Sequence, residues 1–176
     1  MKRTFIFTTL VSVILLVSCQ PSREKMEQQI AYLEARLFDT ESGFSRAGAD
    51  SLIQEYQEFA EAYPDDSLAP VCLFKAASMI MNLQDGPRAI TLFDKIQTSY
   101  PDYEKAPLCL FFTGYVQENV LGDIDQARET YTLFIETYPD NDFVDDAQAS
   151  IKNLGKTPEQ MIQEFETGQQ QAEEEK

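Results

Sequence analysis

The sequence predicts an all-α fold in which antiparallel helix hairpins stack side by side, with about eight helices paired as four hairpins. Apolar residues recur at spacings of three and four along most of the chain, as they do on one face of a helix. The tripeptide Tyr-Pro-Asp occurs three times at nearly equal intervals. Clusters of Gly, Pro and Asp separate the periodic stretches. Together these features indicate a repeated unit of two helices.

The repeat is clearest around the three tripeptides. Tyr63, Tyr100 and Tyr138 each begin a Tyr-Pro-Asp, and they are separated by 37 and then 38 residues. At 11, 7 and 4 positions before the tyrosine stand Leu52, Tyr56 and Phe59, then Ala89, Phe93 and Ile96, then Ala127, Tyr131 and Phe134. Such offsets place the side chains on one face of a helix. Each tripeptide therefore predicts the end of an amphipathic helix, with its proline as the stop.

The segments after each tripeptide also correspond, which predicts a second helix in each unit. Cys72 recurs as Cys109 at a spacing of 37. Between the two helices lie the turn sequences Asp-Gly-Pro at residues 85–87 and Leu-Gly-Asp at residues 121–123. Proline suits the first position of a helix, glycine ends a helix and aspartate caps the next one. Each unit is therefore two helices joined by a turn.

The ends of the repeated region are less regular. Helical periodicity begins at Glu24, and residues 38–48 contain two glycines among Asp, Thr and Ser, which predicts a loop. Thr-Pro-Glu-Gln at residues 157–160 matches a capping box that opens a last helix. Residues 168–176 are rich in Gln and Glu without apolar periodicity, which favours a disordered acidic tail. We therefore assign residues 24–167 to one helical domain.

This pattern resembles the tetratricopeptide repeat, a unit of two helices with a period in the thirties. The matching small, aromatic and proline positions are Ala77, Ala89, Phe93, Ile96 and Pro101 in one unit, and Gly114, Ala127, Tyr131, Phe134 and Pro139 in the next, after a one-residue insertion. The chain lacks the tryptophan of the family and has Gln117 where a tyrosine is common. The resemblance covers residues 49–155 well and the flanks weakly. It implies a right-handed superhelix whose first helices line a surface that binds other proteins.

The first 18 residues are typical of a signal peptide. A basic start, Met-Lys-Arg, precedes an apolar run over residues 5–17, and this run is shorter than the about 20 residues of a transmembrane helix. Leu-Val-Ser at residues 16–18, followed by Cys19, resembles the bacterial lipobox. That resemblance implies cleavage before Cys19, covalent lipid on its thiol and a lipidated tether over residues 19–23. An ordinary signal peptide that contains a cysteine is the alternative.

Charge and composition argue against several function classes. Loss of residues 1–18 removes Lys2 and Arg3 but no carboxylate, so the net charge changes from −16 to −18. Such a chain repels phosphate backbones, so nucleic acid is not an expected partner. The sequence contains no histidine and no glycine-rich phosphate-binding motif, which argues against His-dependent catalysis and nucleotide chemistry. We predict no enzyme activity, no catalytic residue, no metal site and no cofactor other than the lipid on Cys19.

Two further cysteines, Cys72 and Cys109, occupy equivalent places on successive first helices. Neighbouring helices lie about 8–10 Å apart, which is too far for a disulfide between such positions. An exported protein enters an oxidising compartment, so a disulfide is the alternative. We predict that both cysteines are small buried residues.

The predicted binding surface lies on the first helices of two successive units. If Ala77 and Gly114 pack between helices, the neighbouring positions face inward. These candidates are Phe74, Ser78 and Asn82 in one unit and Phe111, Tyr115 and Asn119 in the next. The paired asparagines can hold a peptide backbone through their amides, whereas a core role is the alternative for the two phenylalanines. Only Lys75 and Lys105 supply positive charge nearby, so the surface does not resemble the basic clamp with which some relatives bind acidic peptide tails.

A lipobox joined to a tetratricopeptide body resembles the assembly lipoproteins of the β-barrel insertion machinery. The Tyr-Pro-Asp ends also resemble the repeats of cell-division coordinators associated with the Tol-Pal system. These resemblances imply a non-catalytic scaffold, lipid-anchored in the outer membrane and facing the periplasm, that binds other envelope proteins or peptide segments. The alternative is a surface-exposed lipoprotein that binds a nutrient polymer or another extracellular ligand, although the absence of tryptophan argues against sugar stacking.

Overall fold

The computed structural model describes residues 21–38 and 45–174, and their side chains as far as residue 167. Within these ranges the chain forms eight α-helices and no strand, which confirms the predicted all-α class. The helices are α1 (Arg23–Leu37), α2 (Arg46–Ala62), α3 (Leu68–Asn82), α4 (Gly86–Ser99), α5 (Ala106–Val116), α6 (Ile124–Thr137), α7 (Val144–Asn153) and α8 (Pro158–Glu174). In the described ranges no helix is long and apolar enough to cross a membrane. The lipobox and Cys19 lie outside the described residues.

Successive helices pack against one another from α1 to α7. Each helix contacts its neighbours in sequence, so α1–α2, α3–α4 and α5–α6 form three hairpins that stack in order. The sequence predicts a fourth hairpin from α7 and α8, and this prediction is wrong, because α8 makes only sparse contacts with the other described helices. The short α7 buries only Ala147, and α8 leaves the apolar side chains Met161, Ile162 and Phe165 exposed. Neither helix buries a large apolar face against the other.

The three Tyr-Pro-Asp tripeptides end α2, α4 and α6 in the same conformation. Tyr63, Tyr100 and Tyr138 have φ between −135° and −129° and ψ between 57° and 62°. Each tyrosine amide donates to the carbonyl four residues earlier, and the proline that follows cannot continue the helix. The prediction that these tripeptides stop helices is confirmed. We call the edge of the stack that holds these turns the Tyr-Pro-Asp edge. Since hairpin helices run antiparallel, the N-terminus of α1 lies on it too.

The turns within the hairpins occupy the opposite edge, which we call the hairpin edge. Asp85 and Asp123 each accept a hydrogen bond from the amide three residues later, at 3.4 and 3.2 Å, and so cap α4 and α6, which confirms the cap predicted at Asp123. Each aspartate follows a residue in the left-handed region, Gln84 with φ 63° and Gly122 with φ 68°. Both turns therefore place a left-handed residue directly before the capping aspartate, although one uses glutamine where the other uses glycine.

A π turn absorbs the extra residue of the second repeat interval. It covers Gln117–Leu121 and continues α5. Gly114 lies 37 residues after Ala77, whereas Ala127 lies 38 residues after Ala89, so the insertion falls between positions 114 and 127. A single π turn takes up one additional residue within an otherwise helical segment. It thereby keeps the buried face of α6 in the same register as that of α4.

The loop predicted over residues 38–48 ends earlier than the sequence suggests. Helix α2 begins at Arg46, because the hydroxyl of Ser45 accepts a hydrogen bond from the amide of Gly48 at 3.2 Å and caps the helix. Gly48 therefore belongs to the first turn of α2 and not to the loop.

The C-terminal end differs as well. Thr157 and Gln160 exchange two hydrogen bonds, of 3.3 and 2.8 Å, as the predicted capping box requires. Helix α8 then continues to Glu174, so the backbone of residues 168–174 is helical where the sequence predicts a disordered tail. The reason is composition, since Gln, Glu and Ala are all good helix formers.

The core is built from the repeated positions. All nine residues at 11, 7 and 4 positions before the three tyrosines are at most 2% exposed. Gly114 allows α5 to approach the buried ring of Tyr131, because a Cβ added at residue 114 would lie 2.8 Å from two ring carbons. The predicted packed small position is therefore confirmed at Gly114, and Ala77 is fully buried too.

Cys72 and Cys109 are buried and unpaired, as predicted for small core residues. Burial raises the pKa of the Cys72 thiol to about 11 and that of Cys109 to about 12. Both thiols are therefore protonated near neutral pH and poor nucleophiles.

Candidate protein-binding groove

An open groove of about 470 Å³ crosses the first three helices and reaches the residue before α5. We call it the Phe74 groove, and its lining residues are Glu34, Phe38, Tyr56, Phe74, Lys75, Ser78, Met79 and Lys105. Aromatic and apolar side chains form one part of the lining, and two lysines and a carboxylate form the other. Such a combination of apolar area with a few placed polar groups is typical of a binding site.

Phe74 anchors the apolar part of the groove. Its ring is half-buried and lies 6.2 Å from the ring of Phe93, 6.3 Å from Tyr103 and 6.0 Å from Phe112, measured between centroids. Four rings at such separations hold one another in place. Phe38, at the end of α1, is in contrast 69% exposed. A ligand that covered the groove would therefore bury an exposed aromatic ring against a rigid one.

Two lysines lie over aromatic rings in the groove. The Nζ of Lys105 is 5.3 Å from the centroid of Phe74, and the Nζ of Lys75 is 5.5 Å from that of Tyr56. Both distances permit a cation–π interaction. Lys75 also forms an ion pair with Glu34 at 2.7 Å, whereas within the described residues Lys105 has no ion pair. The ammonium of Lys105 is thus available to a carboxylate that enters the groove.

Glu34 holds the polar side of the groove together. Its carboxylate accepts hydrogen bonds from both Lys75 and the hydroxyl of Tyr56. Partial burial raises the pKa of Glu34, but the bonds from Lys75 and Tyr56 outweigh it, and the pKa lies below its ordinary value. Burial, followed by the bond to Glu34, raises the pKa of Tyr56 well above its ordinary value. An ionised carboxylate and a protonated phenol therefore fix Lys75 over the ring.

Only two of the six predicted site residues line this groove, namely Phe74 and Ser78. Ser78 is half-buried, and its hydroxyl donates to the carbonyl of Phe74 at 2.8 Å, so its oxygen can still accept a hydrogen bond. Glu34 and Phe38 of the α1 end could not be found from the repeat pattern, because that pattern is degenerate there, whereas the pattern identified Tyr56 of α2 only as a core position. Lys75 and Met79 could have been predicted from the sequence. They lie one position after Phe74 and Ser78 on α3 and are likewise four residues apart, so they fall on an adjacent part of the same helix face.

The other four predicted residues lie outside the groove. Asn82 is exposed at the end of α3, and Asn119 is exposed in the π turn, where its amide nitrogen donates to the carbonyl of Tyr115 at 3.1 Å. Tyr115 is 41% exposed on the same stretch. The amide of Asn119 therefore uses one of its two N–H donors within its own helical segment, and the role of the two asparagines in peptide binding stays a prediction.

Phe111 belongs to the core, which corrects its assignment to the binding surface. It is only 7% exposed, and its ring lies 5.2 to 5.7 Å from the rings of Phe112, Tyr131, Phe134 and Phe143. The second hydrophobic cluster, under α5, α6 and α7, forms around it. Phe74 stays partly exposed, whereas its counterpart one repeat later is enclosed by aromatic neighbours.

Comparison with known families agrees with the repeated architecture. A tetratricopeptide repeat model matches residues 109–141, which span most of α5, the π turn, α6 and the third Tyr-Pro-Asp. Residues 109–141 are therefore similar in sequence to a tetratricopeptide repeat. No curated protein matches the sequence. Tetratricopeptide repeats generally mediate contacts between proteins and are typically non-catalytic scaffolds, so the match suggests a protein-protein interaction role. In the described ranges no group of three or more acidic or sulfur ligands is placed to hold a metal ion.

Proposed function

We propose that the chain is a lipoprotein, anchored through Cys19 in the outer membrane and facing the periplasm, that acts as a scaffold for envelope or outer-membrane assembly. The observation that carries the binding part is the Phe74 groove, where an exposed ring and a fixed ring converge with the ammonium of Lys105, which has no ion pair among the described residues. The tetratricopeptide repeat supports the wider role of protein binding.

The lining indicates what kind of segment the groove takes. Phe38, Phe74 and Met79 offer apolar area to an apolar side chain. Lys105 offers an ammonium to a carboxylate of the bound segment that lies a few ångströms from its apolar side chain. The net negative charge of the rest of the protein otherwise repels acidic partners. A peptide segment that carries an apolar side chain next to an acidic one therefore fits best, and a strongly basic or purely polar segment does not.

The anchor rests on the sequence of the N-terminus. A basic start, a 13-residue apolar run and Leu-Val-Ser-Cys stand in the order that lipoprotein export requires. Each buried methylene of an acyl chain adds about 0.8 kcal/mol, so two or three chains on Cys19 would hold the protein in the membrane almost permanently. Replacement of Cys19 by alanine should abolish incorporation of radiolabelled palmitate and release the protein from the membrane fraction.

A pull-down with lipidated full-length protein tests the binding site. The Lys105→Glu variant reverses the charge in the groove, and Lys95→Glu makes the same change at an exposed position of α4 outside it. We expect the parent and Lys95→Glu to enrich the same envelope proteins and Lys105→Glu to lose most of them. Equal enrichment by all three proteins would remove the groove from the proposal, and no enrichment of envelope proteins by the parent would overturn the proposed function.

A further inference from the structure

The start of the described chain is fastened to the first Tyr-Pro-Asp turn. The hydroxyl of Tyr63 donates to the carbonyl of Pro21 at 2.9 Å. The guanidinium of Arg23 forms an ion pair with Asp66 through Nε, a second bond to that carboxylate at 3.3 Å, and an ion pair with Glu27 at 2.7 Å. Pro21 and Arg23 are therefore held at the Tyr-Pro-Asp edge by two residues of the turn itself.

Helix α1 is also fixed to the body over its whole length. Met26 and Ile30 are buried in the main hydrophobic cluster, 3% and 9% exposed. Near the other end of the helix, Glu34 bonds to Tyr56 of α2 and to Lys75 of α3. The point at which the chain leaves the body is thus set by packing and not only by the exposed contacts of Arg23.

Chain geometry then limits how far Cys19 can be from this edge. Cys19 precedes Pro21 by two residues, which span at most about 7 Å even when fully extended. The hairpin edge is much farther away, because α5 and its π turn cover 16 residues, and at 1.5 Å per residue that is about 24 Å. An acyl chain on Cys19 would therefore bring one edge of the stack to the membrane and leave the other in solvent.

We propose that the protein stands on the membrane surface with its Tyr-Pro-Asp edge toward the lipid headgroups and its hairpin edge away from them. This inference rests on the lipidation of Cys19 in the proposed function. The edge carries acidic side chains, among them Asp65, Asp66, Asp102 and Glu104, so anionic headgroups do not attract it. The short tether, and not adsorption, sets the orientation.

The orientation decides how a partner reaches the Phe74 groove. Lys105 comes just before α5 on the Tyr-Pro-Asp edge, whereas Phe38 comes just after α1 on the hairpin edge. The groove therefore runs from the membrane-proximal edge toward the distal edge and opens to the side. A partner would therefore enter the groove from the side, moving parallel to the membrane. Once bound, its segment would lie along the groove with the acidic end nearer to the lipid.

Energy transfer to a labelled lipid tests this orientation. Asp102→Cys places a thiol for the donor label at an exposed site on the Tyr-Pro-Asp edge. Asp125→Cys makes the same substitution at an exposed site on the hairpin edge. The buried thiols of Cys72 and Cys109 do not compete for the label, because burial raises their pKa values. Each lipidated, labelled protein is bound to phosphatidylcholine vesicles that contain a headgroup acceptor. We expect transfer from residue 102 to exceed that from residue 125 at least roughly two-fold, given the height difference of about 24 Å.

A longer tether provides the matched control. Eight Gly and Ser residues inserted between Gln20 and Pro21 leave the folded body and Cys19 unchanged but free the body to tumble, so the difference between the two sites should collapse. Equal transfer from both sites in vesicle-bound protein with the natural tether would overturn the orientation alone. Failure of the purified native protein to carry lipid and bind vesicles would overturn the anchor of the proposed function, and the orientation with it.

Discussion

The backbone of Gly114 in α5 lies so close to the ring of Tyr131 in α6 that a Cβ on residue 114 would be 2.8 Å from both Cδ1 and Cε1 of that ring. Tyr131 is fully buried, so its ring has no space into which to move. This contact is a point of close packing within the segment that matches a tetratricopeptide repeat.

Replacement of Gly114 by alanine should therefore destabilise the protein, although alanine is the better helix former. Overpacking of a well-packed core costs about 1–3 kcal/mol. Gly48→Ala is the matched control, because a Cβ there meets its nearest neighbour at an ordinary 3.4 Å in the first turn of α2. We expect this variant to be neutral or up to about 1 kcal/mol more stable. Urea unfolding measures the change in the free energy of unfolding for both variants. A Gly114→Ala variant as stable as the parent protein would contradict the packing described.

The left-handed residue of each hairpin turn gives a second pair of variants. Gln84 has φ 63°, in the region that costs a non-glycine residue about 1–2 kcal/mol. Gln84→Gly should raise the free energy of unfolding by about 0.5–1 kcal/mol, since the gain is partly offset by the flexibility of glycine. The reverse change, Gly122→Ala, should lower it by about 1 kcal/mol even though nothing lies within 4 Å of the added Cβ. Destabilisation by Gln84→Gly would show that the glutamine is not strained.

The choice of tyrosine or phenylalanine seven positions before a Tyr-Pro-Asp depends on whether a neighbouring carboxylate can accept a hydrogen bond from the ring hydroxyl. The Tyr131 hydroxyl donates to Glu118 at 2.9 Å, whereas in the preceding repeat Phe93 replaces the tyrosine and Met81 stands 37 residues before Glu118. Phe93→Tyr should cost about 1–3 kcal/mol, because the added hydroxyl is buried and Met81 offers no carboxylate to accept from it. Adding Met81→Glu should recover part of that loss. Strictly additive effects in this double-mutant cycle, measured by urea unfolding, would contradict the pairing.

Stability should fall at alkaline pH through the buried thiols. Burial raises the pKa of Cys72 and Cys109 from 9.0 to about 11 and about 12. Unfolding returns both to 9.0, so the unfolded chain loses protons first as the pH rises, and stability is complete below pH 9 and lost progressively above it. Comparison of the free energy of unfolding at pH 8 and pH 10 should show a smaller drop for a variant with alanine at both positions. Equal drops in the two proteins would rule out this contribution.

Much of the fold follows from local chemistry that a sequence displays. Tyr-Pro-Asp marks helix ends because proline cannot continue a helix, and the buried face follows from side chains spaced at 11, 7 and 4 positions. The exposed face of α8 could not be predicted in this way. Met161, Ile162 and Phe165 have the spacing of a packed helix, but packing needs a partner surface, and α7 is too short to supply one.

The groove is less predictable than the helices for a related reason. Phe74 and Phe111 are equivalent in sequence, yet the first is half-exposed and the second is enclosed, because Tyr131, Phe134 and Phe143 surround only the latter. Glu34 and Phe38 come from the degenerate first unit, so their positions depend on how α1 packs and not on a repeat. The pattern identifies the helices that carry a site, and tertiary neighbours decide which of their residues remain accessible.

Photo-crosslinking from inside the groove tests the central proposal most directly. A photo-reactive residue at Ser78 would face the Phe74 groove, and one at Gln57 would face a polar surface between α2 and α4. In living cells that express the full-length protein, the proposed function predicts that a photo-reactive residue at position 78 captures one or a few envelope proteins and that the Lys105→Glu change suppresses this capture. If Gln57 captures the same proteins as efficiently, or the charge reversal leaves capture from Ser78 unchanged, the groove is not the binding site.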